Sequence, residues 1–403
     1  MVTQKNPIKG EAWIENIDRA VRLIGEKENF LFCGDIDPDS VGSMISLALF
    51  LKQMDKQTSI VLANGLSDNL DYLITILNHN SIRILKTENQ IKSHLKNVEV
   101  LVICDTANDK LIPFYSVLFE NFFLQNLQVI EIDHHFGADS ESITKHSIKL
   151  FREANATTEI IGELLQNLTK KFPGATDPFS QRNILIGLIT GLMGDTVGGK
   201  IIPFKKDFDY WMKEWGARLM QNTRWRKTKN NRLGDSKKSK FKNPENIREY
   251  LDHLSSEQEE WLTILTNKMD IQNGLGFLNL VNSNFTRNNV CPPCESDQFR
   301  DILGFLLNRV PEKSGKMGMI CYNGKNAAGK DCIFIKLRRA IHYDGFDLRQ
   351  VEDHIKIAFE GNYMGGGGHP GAVSFRVAPC VESKFISQFT PVVNFIKTNM
   401  KSL

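Results

Sequence analysis

Over residues 11–200, short continuous apolar runs alternate with segments whose apolar residues recur at helical spacing. The runs 29–32, 58–62, 98–104 and 127–132 read as strands buried on both faces, and 41–54, between the first two, reads as a helix. This alternation predicts a parallel sheet flanked by helices, with ligand sites beyond the carboxyl ends of its strands. A further helix is expected over 156–168, with Thr157 and Thr158 near its start and Ile160, Ile161, Leu164 and Leu165 at helical spacing. From 201 the pattern changes: an aromatic and basic stretch comes first, then polar residues over 228–246, then an acidic amphipathic helix over 247–269. Short strands return over 276–281, 316–322 and 331–337, with a helix over 296–308. The expected organisation is an α/β domain over 1–200, a helical linker or insertion over 201–273, and a smaller α/β domain over 274–403.

A chain of 403 residues with 41% hydrophobic content has room for two or three domains with ordinary cores. No run approaches the roughly 18 apolar residues of a membrane span, and the first ten residues are polar, so no membrane association and a cytoplasmic location are expected. Seven cysteines without a secretory signal point to reduced thiols. Net charge is only +3, yet 14 Lys or Arg stand against 4 Asp or Glu between Lys200 and Lys242. That segment, with Trp211, Trp215 and Trp225 among its cations, is a candidate surface for nucleic acid, the indoles offering stacking faces; a solvated loop is the plain alternative.

Polar clusters interrupt the apolar runs at corresponding places. Asp35, Asp37 and Asp39 follow the first run, Asp105 the third and Asp133-His134-His135 the fourth, while Asp195-Thr196 follows the apolar residues 184–193, read as another strand. Carboxylates and imidazole delivered to one end of a sheet suit divalent cations of the Mn²⁺ kind, and two such ions close together need a bridging carboxylate. Asp37 and Asp39 can face two adjacent ions, Asp105 is placed to bridge, and His134 with Asp195 can complete the second ion. Asp35 alone reads as a loop former. Gly42-Ser43 opens the following helix, whose N-terminus could help hold phosphate. Near the other end of the chain, the run 365–371 can let backbone amides approach a ligand, with His369 as a donor, although a glycine run is more often a flexible loop. Arg338 and Arg339 leave a predicted strand where a guanidinium could clamp phosphate.

Together these residues resemble the DHH phosphoesterase superfamily, which includes oligoribonuclease/pAp phosphatases, cyclic-di-AMP phosphodiesterases, RecJ-type exonucleases and manganese pyrophosphatases. The first motif of that family is similar to Cys33-Gly34-Asp35-Ile36-Asp37-Pro38-Asp39-Ser40-Val41-Gly42-Ser43, the second to Asp105, the third to Asp133-His134-His135 and the fourth to Gly194-Asp195-Thr196. Residues 366–372 and Leu337-Arg338 resemble the DHH-associated C-terminal domain. The resemblance implies a bilobed enzyme with a cleft, a two-Mn²⁺ site in its N-terminal domain and substrate binding in its C-terminal domain. It assigns Cys33, Asp37 and Asp105 to one ion and Asp39, Asp105, His134 and Asp195 to the other. His135 would face the scissile phosphate, Asp133 would orient a histidine, and Arg338, Gly367, Gly368 and His369 would bind substrate.

Cys33 stands where the family carries a histidine ligand. A thiolate is soft and favours zinc, so the expected metals are two Mn²⁺, with Mg²⁺ or Co²⁺ as substitutes and zinc through Cys33. Cys291-Pro-Pro-Cys294 is half of a zinc motif that only a hairpin bringing Cys321 and Cys332 close would complete. The expected function is metal-dependent hydrolysis of short RNA oligonucleotides or pAp-type nucleotides. Alternatives are a cyclic-di-AMP/pApA phosphodiesterase and a catalytically weakened nucleic-acid-binding regulatory protein, with Cys33 as the mark of decay. Homodimers are common among the relatives to which the resemblance points.

Overall fold

Hydrophobic alternation along each strand decides which layer its side chains enter. In the computed structural model, which describes residues 4–63, 66–120, 128–136, 140–230, 241–282, 291–294, 296–326 and 330–400, the chain divides into two units, one up to His253 and one from Leu254. The stretch 201–273, expected as a linker, is shared between them.

In the first unit the strands are β1 (Asn29–Gly34), β2 (Gln57–Val61), β3 (Arg83–Leu85), β4 (Val100–Cys104), β5 (Gln128–Asp133) and β6 (Ile148–Phe151). They form one sheet in the order β3-β2-β1-β4-β5-β6 with every pairing parallel. The helices are α1 (Gly10–Glu26), α2 (Pro38–Gln53), α3 (Asp71–His79), α4 (Glu88–Leu95), α5 (Tyr115–Leu118), α6 (Thr157–Lys171), α7 (Arg182–Asp195), α8 (Lys205–Asn230) and α9 (Pro244–Leu251). Phe30 and Phe32 of β1 enter the thick apolar layer formed with α1, α2, α6 and α7, whereas Leu31 and Cys33 enter the thinner layer with α4 and α5. Strand order reverses between β1 and β4, so their carboxyl ends flank the crevice where open α/β sheets place ligands.

Residues 184–193, expected as a strand, lie in the helix α7 instead. Ten consecutive buried residues exceed an ordinary strand, and a helix apolar all round is stable only when surrounded, as α7 is. It packs on α2 through glycines: a Cβ at Gly42 would lie 2.4 Å from the Gly187 carbonyl oxygen. Trp211 and Trp215 also depart from expectation. They stack on each other with centroids 4.7 Å apart and are buried with Phe179, so they are core residues rather than stacking platforms. The side chain of Trp225 lies outside the described residues.

The helix expected over 247–269 is two helices, α9 in the first unit and α10 (Ser256–Asn267) in the second. Ser255 breaks it: its hydroxyl accepts from Gln258 N, and the Gln258 side chain returns to Ser255 N, a capping box that starts a new helix. The second unit continues with β7 (Asp270–Gln272), β8 (Leu275–Leu280), α11 (Asp297–Ser314), β9 (Met317–Lys325), β10 (Asp331–Arg339), α12 (Val351–Ala358), β11 (Tyr363–His369), β12 (Ala372–Val377) and α13 (Glu382–Asn399). Its sheet runs β11-β12-β10-β9-β8-β7, antiparallel except for the β8–β9 pair. No helix among the described residues is long and apolar enough to cross a membrane.

Candidate metal centre

β1 ends at Gly34, where a side chain could not fit: a Cβ would lie 2.1 Å from the Cys104 carbonyl oxygen and 2.3 Å from Ser40 Oγ. The chain then supplies three carboxylates in five residues. Asp37 caps α2, accepting from Ser40 N at 2.8 Å, with Pro38 preset for the first turn. Asp39, in that first turn, is fully buried, and its two oxygens accept from Thr157 N and from Thr158 N (3.0 Å) at the start of α6. The α6 N-terminus therefore holds this carboxylate by orphan amides and dipole together.

Asp105 follows β4 in a left-handed backbone, φ 50°. Strain of this kind persists only where surrounding structure enforces it. Here Asp105 N donates to Ile132 O at 2.8 Å, and Thr157 Oγ1 donates to Asp105 Oδ1 at 2.9 Å. Thr157 thus orients Asp39 through its backbone and Asp105 through its hydroxyl. From the end of β5, His134 donates Nδ1–H to Ala154 O at 3.1 Å, which fixes the tautomer and leaves Nε2 facing carboxylates. Nε2 lies 2.9 Å from Asp195 Oδ2, 3.4 Å from Asp105 Oδ1 and 3.7 Å from Asp39 Oδ2. His135 donates Nδ1–H to Asp133 Oδ1 at 2.9 Å and has its side chain 43% exposed, against 12% for His134. Asp195 closes the group from the last residue of α7.

Two overlapping sets result, Asp39–His134–Asp195 and Asp105–His134–His135, each with ligand atoms within 4.8 Å of one another. Burial and then the neighbouring carboxylates Asp35, Asp195 and Asp39 push Asp37 up to about 8. Burial and Asp195 push Asp39 up to about 6, and burial with Asp39, Asp37 and Asp195 raises Asp105 well above the carboxylate range. Burial works to lower His134, but the hydrogen bond and charge of Asp195 outweigh it and push the ring up to about 10. Crowded carboxylates of this kind call for a cation. Asp105 Oδ2 is buried and without a hydrogen-bond partner, His134 Nε2 faces three carboxylates, and oxygen plus imidazole donors suit Mn²⁺ or Mg²⁺. The residues present therefore fit a divalent metal. Because Asp133 already engages His135 Nδ1, that ring is better suited to meet a ligand than to hold an ion.

Asp133 itself carries the histidines. Burial alone would raise its pKa, but His135 and Lys5 hold it well below the carboxylate range. Behind the site, the fully buried Glu159 accepts from Asn155 N (3.1 Å) and Asn155 Nδ2 (2.8 Å), and burial pushes it up to about 7. The folded chain thus keeps a proton that the unfolded chain releases above the ordinary glutamate range, so stability falls as pH rises through this window. Relative to native protein, Glu159→Gln is expected to gain roughly 1–3 kcal/mol between about pH 5 and about pH 8 in denaturant unfolding; a constant difference would contradict this.

Not every expected ligand is gathered. Cys33 is fully buried in the apolar layer with Leu31, Val61 and Ile103, and burial raises its thiol far above the range in which it ionises. Like Asp35 and Asp37, it belongs to neither set of ligand atoms. Asp35, read as a loop former, accepts from Ile36 N at 2.7 Å, and it stands near enough to the cluster for its charge to act on Asp37 and for His135 to act on it. On the second unit, Arg338 donates to Asn308 Oδ1, and Gly367 and Gly368 lie in β11, paired with Ser374 and Val373. The glycine run is a strand rather than a loop. Gly366 and Gly368 have φ of 158° and 149°, and a Cβ at either would come within 2.4 Å of β12 carbonyl oxygens. His369 pairs with Ala372 by its backbone; its side chain lies outside the described residues. Cys321 and Cys332 do share the β9–β10 hairpin, but they pair with Ile335 and Gly324, three rungs apart. No ligand set among the described residues includes a cysteine.

Residues 29–192 match the DHH family N-terminal domain. Comparison with curated protein sequences gives no match. Among solved structures, an exopolyphosphatase-related protein from Bacteroides fragilis superposes with a TM-score of 0.66 at 16% identity, over 96% of this chain and 98% of the other. RecJ from Thermus thermophilus, solved with Mn²⁺, gives 0.53 at 14% identity, over 97% of this chain and 55% of RecJ. The DHH domain of a member of a ribosomal-protein family also gives 0.53, at 13% identity over 97% of this chain and 94% of the other. Residues 29–192 thus match the DHH family N-terminal domain, and the fold along the chain is similar to that of these solved structures.

Proposed function

We propose that the protein is a metal-dependent phosphoesterase that hydrolyses short RNA oligonucleotides or pAp-type nucleotides. The observation that carries this reading is the meeting of Asp39, Asp105 and Asp195 around His134 Nε2, beside the buried and unpartnered Asp105 Oδ2. Divalent cations at such a cluster supply a Lewis acid for phosphoryl oxygen and lower the pKa of water. Asp39, Asp105, His134 and Asp195 would hold one ion. Asp37 and Asp105 would serve the other, with Asp35, whose charge acts on Asp37, taking the place assigned to Cys33. The chain fixes these groups beforehand: Ala154 sets the His134 tautomer, and Thr157 with Thr158 aims Asp39 and Asp105. His135, oriented by Asp133 and exposed, presents Nε2–H to a phosphate oxygen on which charge develops when its ring is the imidazolium, the form that the Asp133 carboxylate favours. Arg338, Gly367, Gly368 and His369 are assigned to substrate binding on the second unit.

The weakened-protein alternative drew its support from Cys33, whose side chain stands in an apolar layer and leaves the carboxylate set intact. Hydrolysis is to be measured with Mn²⁺ on pAp, an RNA dinucleotide, cyclic-di-AMP and inorganic polyphosphate, the last because the fold resembles an exopolyphosphatase-related protein. Turnover of pAp or the dinucleotide is expected. Preference for cyclic-di-AMP or polyphosphate would replace the proposed substrate, and inertness on the whole panel would reject the enzyme reading.

A further inference from the structure

The polar residues at the start of the chain form a strap along the segment that follows β5. Gln4 bridges to Glu141, Lys5 N donates to Ser140 O at 2.9 Å, and Ile8 N donates to Phe151 O at 2.8 Å. The strap inserts Lys5 beneath the histidine triplet, where it is only 3% exposed. Its ammonium donates to Asp133 Oδ2 and to the carbonyl of Thr106, and lies 5.1 Å from the Phe151 ring centroid. Burying a lysine sacrifices hydration and rotamer freedom, so the site must match its charge. Asp133 matches it. Glu131, on the same face of β5, is already occupied by Ile143 N, Thr144 N and Ser147 Oγ.

The two oxygens of Asp133 divide their work. Oδ1 accepts from His134 N (2.8 Å), His135 N (3.1 Å) and His135 Nδ1 (2.9 Å), while Oδ2 accepts from Lys5. A terminal carboxylate torsion is broad, so contacts on one oxygen alone leave the group free to swing. Lys5 removes that freedom from the far side. Through Thr106 it also ties the residue after Asp105 to the carboxylate that aims His135, joining the ends of β4 and β5. We propose that Lys5 is a positioning residue, which locks Asp133 so that His135 is held in its substrate-facing orientation. This rests on the assignment of His135 to substrate made above.

Two measurements on the full chain separate the proposal from the reading beneath it. In metal-free protein with ¹⁵N-labelled histidine, the His135 Nδ1–H signal, assigned by its loss in His135→Gln, is expected to be protected from exchange. Lys5→Met should abolish that protection and Lys5→Arg should keep it. In the Mn²⁺ assay, Lys5→Met should lower kcat by about 10- to 100-fold while KM and calorimetric Mn²⁺ affinity stay within about threefold, with Lys5→Arg restoring most of the rate. If Lys5→Met does not fold, Lys5→Gln carries the same comparison. An unchanged ring signal in a folded variant, or a rate loss that follows Mn²⁺ affinity alone, would overturn the role of Lys5. A responsive ring signal in a native chain inert on every substrate would instead reject the phosphoesterase reading and leave the lock standing.

Discussion

Asp105→Asn is expected to abolish hydrolysis while making the metal-free chain harder to unfold. Asp105 belongs to the set it forms with His134 and His135 and stands in a left-handed backbone, 1% exposed, among Asp39, Asp37, Asp195 and Asp133. Removing its charge removes the oxygen assigned to bridge two ions, and the rate should fall about 10³-fold or more, on the order of 4 kcal/mol of lost transition-state stabilisation. The same change relieves a buried carboxylate of its like-charged neighbours, and the metal-free protein should gain roughly 1–3 kcal/mol near neutral pH. Asparagine keeps the shape and still accepts from Thr157 through Oδ1. Calorimetric titration with Mn²⁺ and denaturant unfolding without metal measure the two halves separately. A variant that retains Mn²⁺ binding and turnover would remove Asp105 from the centre; one that unfolds more easily would show that its charge is compensated by something other than a cation.

The second large effect contrasts two neighbours. Cys33→Ala should leave turnover and metal preference within about threefold and cost only about 1 kcal/mol of stability, because it trims a buried apolar contact. Asp35→Asn should lower kcat or Mn²⁺ affinity by about a hundredfold. Cys33→His, which restores the family residue, should destabilise the fold by roughly 2–4 kcal/mol, since it forces a polar ring between Leu31, Val61 and Ile103. The comparison reads activity, Mn²⁺ titration and unfolding side by side. If Cys33→Ala inactivates while Asp35→Asn does not, the thiol is the ligand and the assignment of Asp35 is wrong.

The parallel sheet and its strand-end carboxylates were legible because buried strands read as unbroken apolar runs and site residues interrupt them. Cys33 was misplaced although the information was present: period-two alternation puts it with Leu31 and opposite Phe30 and Phe32. Trp211 and Trp215, four residues apart, likewise share one helical face, which favoured packing over base stacking. Ser255 and Gln258 spelled the capping box that divides α9 from α10. The helical nature of α7 was hidden because an all-apolar segment has no amphipathic period to betray it, and only its length argued the case. Other features could not be read locally. The left-handed Asp105 is not a glycine, and Lys5 meets Asp133 across 128 residues of chain through a tertiary strap.

Gly42, Gly187 and Gly191 have a mechanical consequence for the ions themselves. They bring α2 and α7 into backbone contact, and a Cβ at Gly191 would lie 2.5 Å from Asp39 Oδ1. Asp39 rides on the first turn of one rod and Asp195 on the last residue of the other, and at their crossing the small Ser46 side chain sits against Gly187, bonded to Gly42 O and Ile184 O. Such a cage cannot widen without sliding two buried helices past each other. The glycine crossing therefore sets the separation of Asp39 and Asp195 by the packing of two helices rather than by the chemistry of the ligands.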